Sequence, residues 1–170
     1  MKKLILPTIA LLSVLSSCNP KKQYSENSPE IDTYKKVVTD YENGDWKDFT
    51  THYADSAKIL IHSTENGAIT ATQLATSNED GAKSFKGWKY TNKKFFMVTK
   101  DNGEVWVYYN GLWQGTFIPN NKLYEIPAQI NVQFVNGKIV REEGYWDISN
   151  FMLDKNITYF YCNYCLYLHY

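Results

Sequence analysis

The chain has 170 residues, with 18 basic and 18 acidic side chains and a formal net charge of zero. That balance excludes a protein that grips nucleic acid through a basic surface: no basic stripe runs along the sequence, and Lys93 and Lys94 fall in an expected turn. Aromatic residues make up 16%, enough to fill a core with large rings or to line a cavity.

The opening MKKLILPTIALLSVLSSCNP has a positive start at Lys2 and Lys3 and an apolar run from Leu4 to Leu15, too short to span a bilayer. Residues 1–17 read as a signal peptide. Leu15-Ser16-Ser17-Cys18 resembles a bacterial lipobox, which implies cleavage before Cys18 and acyl chains on the new N-terminus. The alternative is an ordinary signal that happens to contain a cysteine. The lipobox implies a bacterial cell-envelope protein, lipid-anchored and facing the periplasm. Residues 18–28, polar and containing Pro20, read as a flexible tether. One domain is expected over 29–154, and residues 155–170 form an atypical aromatic tail.

Ser28-Pro29 is a helix start, and Ile31, Tyr34, Val37, Val38 and Tyr41 follow at helical spacing up to Gly44. Asp45 opens a second helix with Trp46, Phe49 and Tyr53 on its buried face. Ala57–His62 reads as a short strand and Ile69–Phe85 as a third helix interrupted by Gly81. The second half changes period. Lys94–Lys100, Glu104–Phe117, Lys122–Val135 and Lys138–Ile148 read as strands of an antiparallel meander. Asn102-Gly103 and Asn136-Gly137 predict two-residue type I′ turns, which need positive φ at both centres. Val105, Val107 and Tyr109 alternate with Trp106 and Tyr108, so both faces of that strand are apolar. Helices cover one face, and a second subunit could cover part of the other, making a homodimer through the sheet.

YENGDWKDFTTHYADSAKI, FVNGKIVREEGYWDIS and EVWVYYNGLWQGTF together resemble the nuclear transport factor 2-like superfamily, specifically its SnoaL-like branch. The resemblance covers Glu30 to Asp154. It implies an α+β fold: a cone-shaped, strongly curved antiparallel sheet wrapped around about three N-terminal helices, with an apolar pocket open at one end. Family members include steroid isomerases, polyketide cyclases and dehydratases, and many others bind ligands without known chemistry. The steroid-isomerase site needs a Tyr and two acids. The matching positions here are Val37, Ile61 beside His62, and Ile130 or Asn131, so that mechanism is rejected.

Asp147 matches the acid–base residue of SnoaL-like cyclases. Against Tyr145 and Trp146 it would be desolvated, with a raised pKa. Alternatively it caps a terminal turn before Ser149, the commoner role for such a residue. His62 could assist at a pocket mouth or simply face solvent where its strand ends. His52 reads as a boundary residue. Trp46, Tyr53, Trp88, Trp106, Tyr108, Trp113 and Tyr145 are the expected pocket lining, although aromatic side chains at such spacings also build plain core. No cofactor or metal is expected: Cys162 and Cys165, with His169, lack a fourth zinc ligand. The expected partners are a small apolar molecule and a membrane reached through the anchor. The expected function is binding of a small apolar or amphipathic ligand. The alternatives are a cyclase-, isomerase- or dehydratase-like enzyme using Asp147, and a structural homodimer.

Overall fold

The computed structural model describes residues 23–152. Cys18, the signal segment and the tail with Cys162 and Cys165 lie outside them. Helix α1 (Pro29–Asn43) starts as its sequence dictates. Ser28 Oγ accepts from Ile31 N at 3.2 Å, and Pro29 occupies the first turn, where no backbone donor is needed. Its stripe of Ile31, Tyr34, Val37 and Val38 is buried. The chain leaves the helix through Gly44 at φ 73°, a left-handed conformation that costs other residues about 1–2 kcal/mol. Gly44→Ala should therefore lower stability by about 1 kcal/mol and Gly44→Asn by less, read from urea midpoints.

Helix α2 (Trp46–Thr51) follows Asp45, whose side chain makes no capping bond. Helix α3 (Ala71–Ala82) is shorter than the expected Ile69–Phe85. It begins at a capping box in which Thr70 Oγ1 accepts from Gln73 N and Gln73 Oε1 accepts from Thr70 N. Phe85 belongs instead to the next strand.

The sheet has six strands: β1 (Tyr24–Ser25), β2 (Tyr53–Ile61), β3 (Phe85–Thr99), β4 (Val105–Phe117), β5 (Leu123–Val135) and β6 (Lys138–Trp146), in the spatial order β1-β3-β4-β5-β6-β2. The fold is the expected strongly curled α+β arrangement, with two differences. The sheet is mixed, because β2 runs parallel to β6, while β3 to β6 form the antiparallel meander. Residues Tyr24 and Ser25, expected within a flexible tether, pair with Val98 and Met97 as an edge strand.

Register divides the sheet into rows. One row, Met97–Val107–Val132–Glu142–Ile59, faces the helices. The next, Phe96–Tyr108–Asn131–Glu143–Leu60, faces the other way. The following inner row is Phe95–Tyr109–Ile130–Gly144–Ile61. Inner-row residues pack against Ile31, Tyr34, Val37, Val38, Phe49, Leu74 and Ala75 of the helices to form the main core.

Four register breaks shape the strands, one of them between Tyr53 and Lys58 of β2 in its pairing with β6. In β3 a bulge between Thr91 and Lys94 carries Asn92 at φ 52°. Glu42 from α1 compensates there, with its Oε1 accepting from Tyr90 N at 2.5 Å. A second break in the β3–β4 pairing lies between Phe85 and Trp88. In β6 the register shifts between Ile139 and Arg141. Of the two Asn-Gly turns, only Asn136-Gly137 has positive φ at both residues, 50° and 75°. At the other, only Gly103 is left-handed, at φ 86°, and Lys100 pairs with Glu104 around a three-residue loop. Asn102 instead uses its Oδ1 to accept from Glu104 N.

Candidate functional site

Inside the curl, the inner face carries one buried charged side chain among the described residues, Glu142, 4% exposed. Its row neighbours Val107, Val132 and Ile59 are apolar and fully buried. Tyr53, which opens β2, donates its hydroxyl to Glu142 Oε2 at 2.6 Å. Burial pushes the Glu142 carboxyl up to about 7, although the Tyr53 hydrogen bond pulls the other way. Tyr34, Tyr90 and Tyr109 complete a ring-lined interior. Tyr109 lies 5.8 Å from Tyr34, 5.4 Å from Tyr90 and 4.9 Å from Phe95 between ring centroids. Burial raises the hydroxyl pKa values of Tyr34, Tyr53, Tyr90 and Tyr109, so all four stay protonated donors. Gly111 gives the Tyr109 hydroxyl its room: a Cβ there would lie 2.2 Å from that oxygen. This interior can hold a proton near neutrality, but its own rings fill it.

A second constellation sits at the C-terminal end of α1. Trp46 and Trp88 stack at 6.3 Å and 13°, with Tyr41 edge-on to both. Trp88 Nε1 donates to the Tyr41 carbonyl and Trp113 Nε1 to the Tyr41 hydroxyl, both at 3.0 Å. The donors satisfied within the cluster and the contacts of its rings make it a packing unit.

The third is an open trough of ≈ 610 Å³. It crosses the sheet on the face turned away from the helices, along the outer row Lys94–Asn110–Gln129–Tyr145. Leu112 and Pro127 of the outer face supply apolar wall, and Ala128 and Trp146, whose register places them on the inner rows, border it; Asn92, Lys94, Asn110 and Gln129 supply polar groups; His62 and Asp147 close one end. A separate hollow of ≈ 580 Å³ between α2, α3 and β2 is lined mostly by Thr50, Thr51, Asp55, Thr70, Thr72 and Lys138, with Tyr53 in its wall.

The structure therefore brings His62, Tyr145 and Asp147 together. The His62 ring meets Trp146 edge-on at 4.6 Å, and partial burial lowers its pKa, so the imidazole is neutral at pH 7. His62 itself has φ 49°, set where its N–H bonds the Gly144 carbonyl. The desolvation expected at Asp147 is not found. Its carboxylate is exposed, accepts from Ser149 N at 2.8 Å, and is held below the usual carboxylate range by hydrogen bonding from the Ser149 side chain and backbone. This is an Asx turn leading into a short terminal helix, α4 (Ser149–Met152).

The seven expected lining residues separate. Tyr53 is inside the curl, Trp46, Trp88 and Trp113 are in the α1 cluster, and Tyr145 is in the trough. Trp106 and Tyr108 lie on the outer face of β4, where Trp106 Nε1 donates to Glu104 and Tyr108 stacks on Phe96 at 5.1 Å. His52 bridges α1 and α2, 2.7 Å from Asp40. Sequence reasoning missed Glu142. Alternation counted from buried Ile139 puts Arg141 inside and Glu142 outside, and the register shift at Val140 reverses that order.

No family model and no curated protein matches the chain. Solved structures do. IdmH from Streptomyces antibioticus, a proposed polyketide cyclase, is 14% identical over 74% of this chain and 96% of its own, with a TM-score of 0.61. A ketosteroid isomerase-like protein from Catenulispora acidiphila, solved with trimethylamine, is 11% identical over 69% of this chain and 87% of its own, at TM-score 0.57. An NTF2-like protein from Anabaena variabilis is 12% identical over 72% and 93%, also at 0.57. The chain has the NTF2-like, ketosteroid isomerase-like fold that proposed polyketide cyclases share.

Proposed function

We propose that this protein is held on a bacterial envelope membrane through an acylated Cys18 and that its domain binds a small amphipathic molecule in the trough without transforming it. The observation that carries this reading is the trough itself. Its ≈ 610 Å³ falls within the range of small-molecule sites, and its walls set Tyr145, Trp146, Leu112 and Pro127 beside Lys94, Asn110 and Gln129. That mixture suits a ligand with one apolar body and one polar end. Binding is favoured over turnover because neither ionisable group at its closed end is set up to exchange protons with an acid–base partner. Asp147 is committed to its turn, and neutral His62 meets the rings of Trp146 and Tyr145 edge-on, with no carboxylate beside it in that contact.

Native mass spectrometry of protein purified from its own cells tests this. The wild type should carry a small-molecule adduct, and Gln129→Trp, which fills the trough from an exposed position, should lose it while keeping its melting temperature. An adduct retained in full by that variant would refute the trough as the site.

One observation favours an enzymatic second reading, and it points away from Asp147. Glu142 is the acid whose pKa lies near neutrality, with Tyr53 as a positioned donor. Turnover there would require a substrate to displace the tyrosine rings.

A further inference from the structure

The N-terminal strand of the domain is fastened, and this limits how far the domain can stand from an anchor at Cys18. Thr99 N donates to the Gln23 carbonyl at 2.9 Å, Tyr24 pairs with Val98, and Gln23 Nε2 donates to Asp101 Oδ1 at 3.0 Å. Five residue steps separate Cys18 from Gln23. Fully extended, at ~3.6 Å each, they reach about 18 Å, far less than a flexible tether over residues 18–28 would allow.

What lies beside that attachment is aromatic. Tyr24, 53% exposed, lies tilted by 30° against Phe96 at 5.8 Å, and Phe96 stacks on Tyr108 at 5.1 Å. The ladder runs across β1, β3 and β4 on the face opposite the helices. Its charged neighbours are two lysines and three acids, one net negative charge. Lys100 lies 4.3 Å from the Trp106 ring and bonds Glu104, the Tyr24 hydroxyl donates to Glu26, Asp101 is held by Gln23, and Lys94 is exposed. A near-neutral surface of tyrosine and phenylalanine suits the headgroup layer of a bilayer, where rings with one polar tip concentrate.

We propose that the outer face of β1, β3 and β4 rests on the headgroups of the membrane that receives the chain's own acyl chains. The inference rests on the acylated-Cys18 reading. It also deepens that reading, because the trough lies on the same face. Lys94 and Asn110, which line it, follow Phe96 and Tyr108 by one outer row. A membrane-borne amphiphile then reaches the trough from the bilayer without crossing solvent.

The test uses full-length protein acylated in cells, in a Cys162→Ser, Cys165→Ser background, with an environment-sensitive fluorophore on Asp101→Cys or on Glu79→Cys in α3. Intact mass establishes the acyl chains first. The protein is then placed in phosphatidylethanolamine–phosphatidylglycerol vesicles whose headgroups carry a nitroxide quencher. Fluorescence at position 101 should fall at least ~2-fold while that at position 79 barely changes, and Tyr24→Ser with Tyr108→Ser should shrink the contrast. Equal quenching at both positions in acylated protein overturns the orientation alone. Shielding of position 101 that needs no vesicles and grows with protein concentration assigns the face to a second copy of the chain, and overturns it too. An intact mass without acyl chains overturns the anchor and the orientation together.

Discussion

Glu142→Gln is expected to make the protein more stable above neutral pH and to flatten its stability profile. The carboxyl holds its proton more tightly in the folded chain, about 7, than at its ordinary value of 4.5. A pKa raised on folding contributes stability that is complete below the unfolded value and lost as the pH rises through the folded one. The wild type should therefore lose about 3 kcal/mol between pH 4.5 and pH 8 from this group alone. Glutamine has nothing to ionise, keeps nearly the same shape, and still offers an oxygen to the Tyr53 hydroxyl. Urea melts across that range should show the two proteins equal near pH 4.5 and separated at pH 8, with the variant ahead. Parallel profiles would mean that the carboxylate is not sealed as described. A gain at pH 8 would also explain why an acid there suggests use: packing alone would be better served by an uncharged side chain.

Tyr109→Ala should produce the largest loss. The ring is fully buried and touches Tyr34, Tyr90 and Phe95, so its removal leaves a cavity that rigid neighbours cannot close. Large aromatic-to-alanine changes at such positions cost about 3–5 kcal/mol. Tyr109→Phe keeps the ring and should stay within ~1.5 kcal/mol of wild type. The emptied space is shaped for a phenol, so p-cresol should raise the melting temperature of the alanine variant and leave the wild type unchanged. A small loss with no rescue would show that the curl is not filled by its own rings.

The sequence was legible where structure is local. Ser28, Pro29, the apolar stripe and Gly44 bound α1 by chemistry that acts within one turn. The Thr70–Gln73 capping box was equally local and would have set the start of α3 correctly. Legibility ended where a residue's environment depends on distant pairing. Phe85 to Lys93 alternate weakly because the register breaks between Phe85 and Trp88 and again at Asn92, so the first half of β3 does not look like strand. Glu142 is hidden by a one-residue slip in β6. The scatter of the seven aromatic candidates has the same cause, since large rings at strand spacing look identical whether they face the helices, the trough or the outer surface. Asp147 shows the reverse case: the turn it makes with Ser149 spans two residues and is legible in the sequence as a cap.

The parallel contact between β2 and β6 has a consequence for how the molecule comes into being. Ile59 lies beside Glu142, and Leu60 beside Glu143, across more than eighty intervening residues. A chain made from its N-terminus exposes β2 early and completes its partner almost last. Until then Leu60 and Ile61 wait for their strand partner, Ile59 having only its isolated bridge to Ile69, and closing so long a loop slows the search. Truncations ending before β6 should accumulate as aggregates recognised by holding chaperones, whereas the finished chain should fold in one late, concerted step.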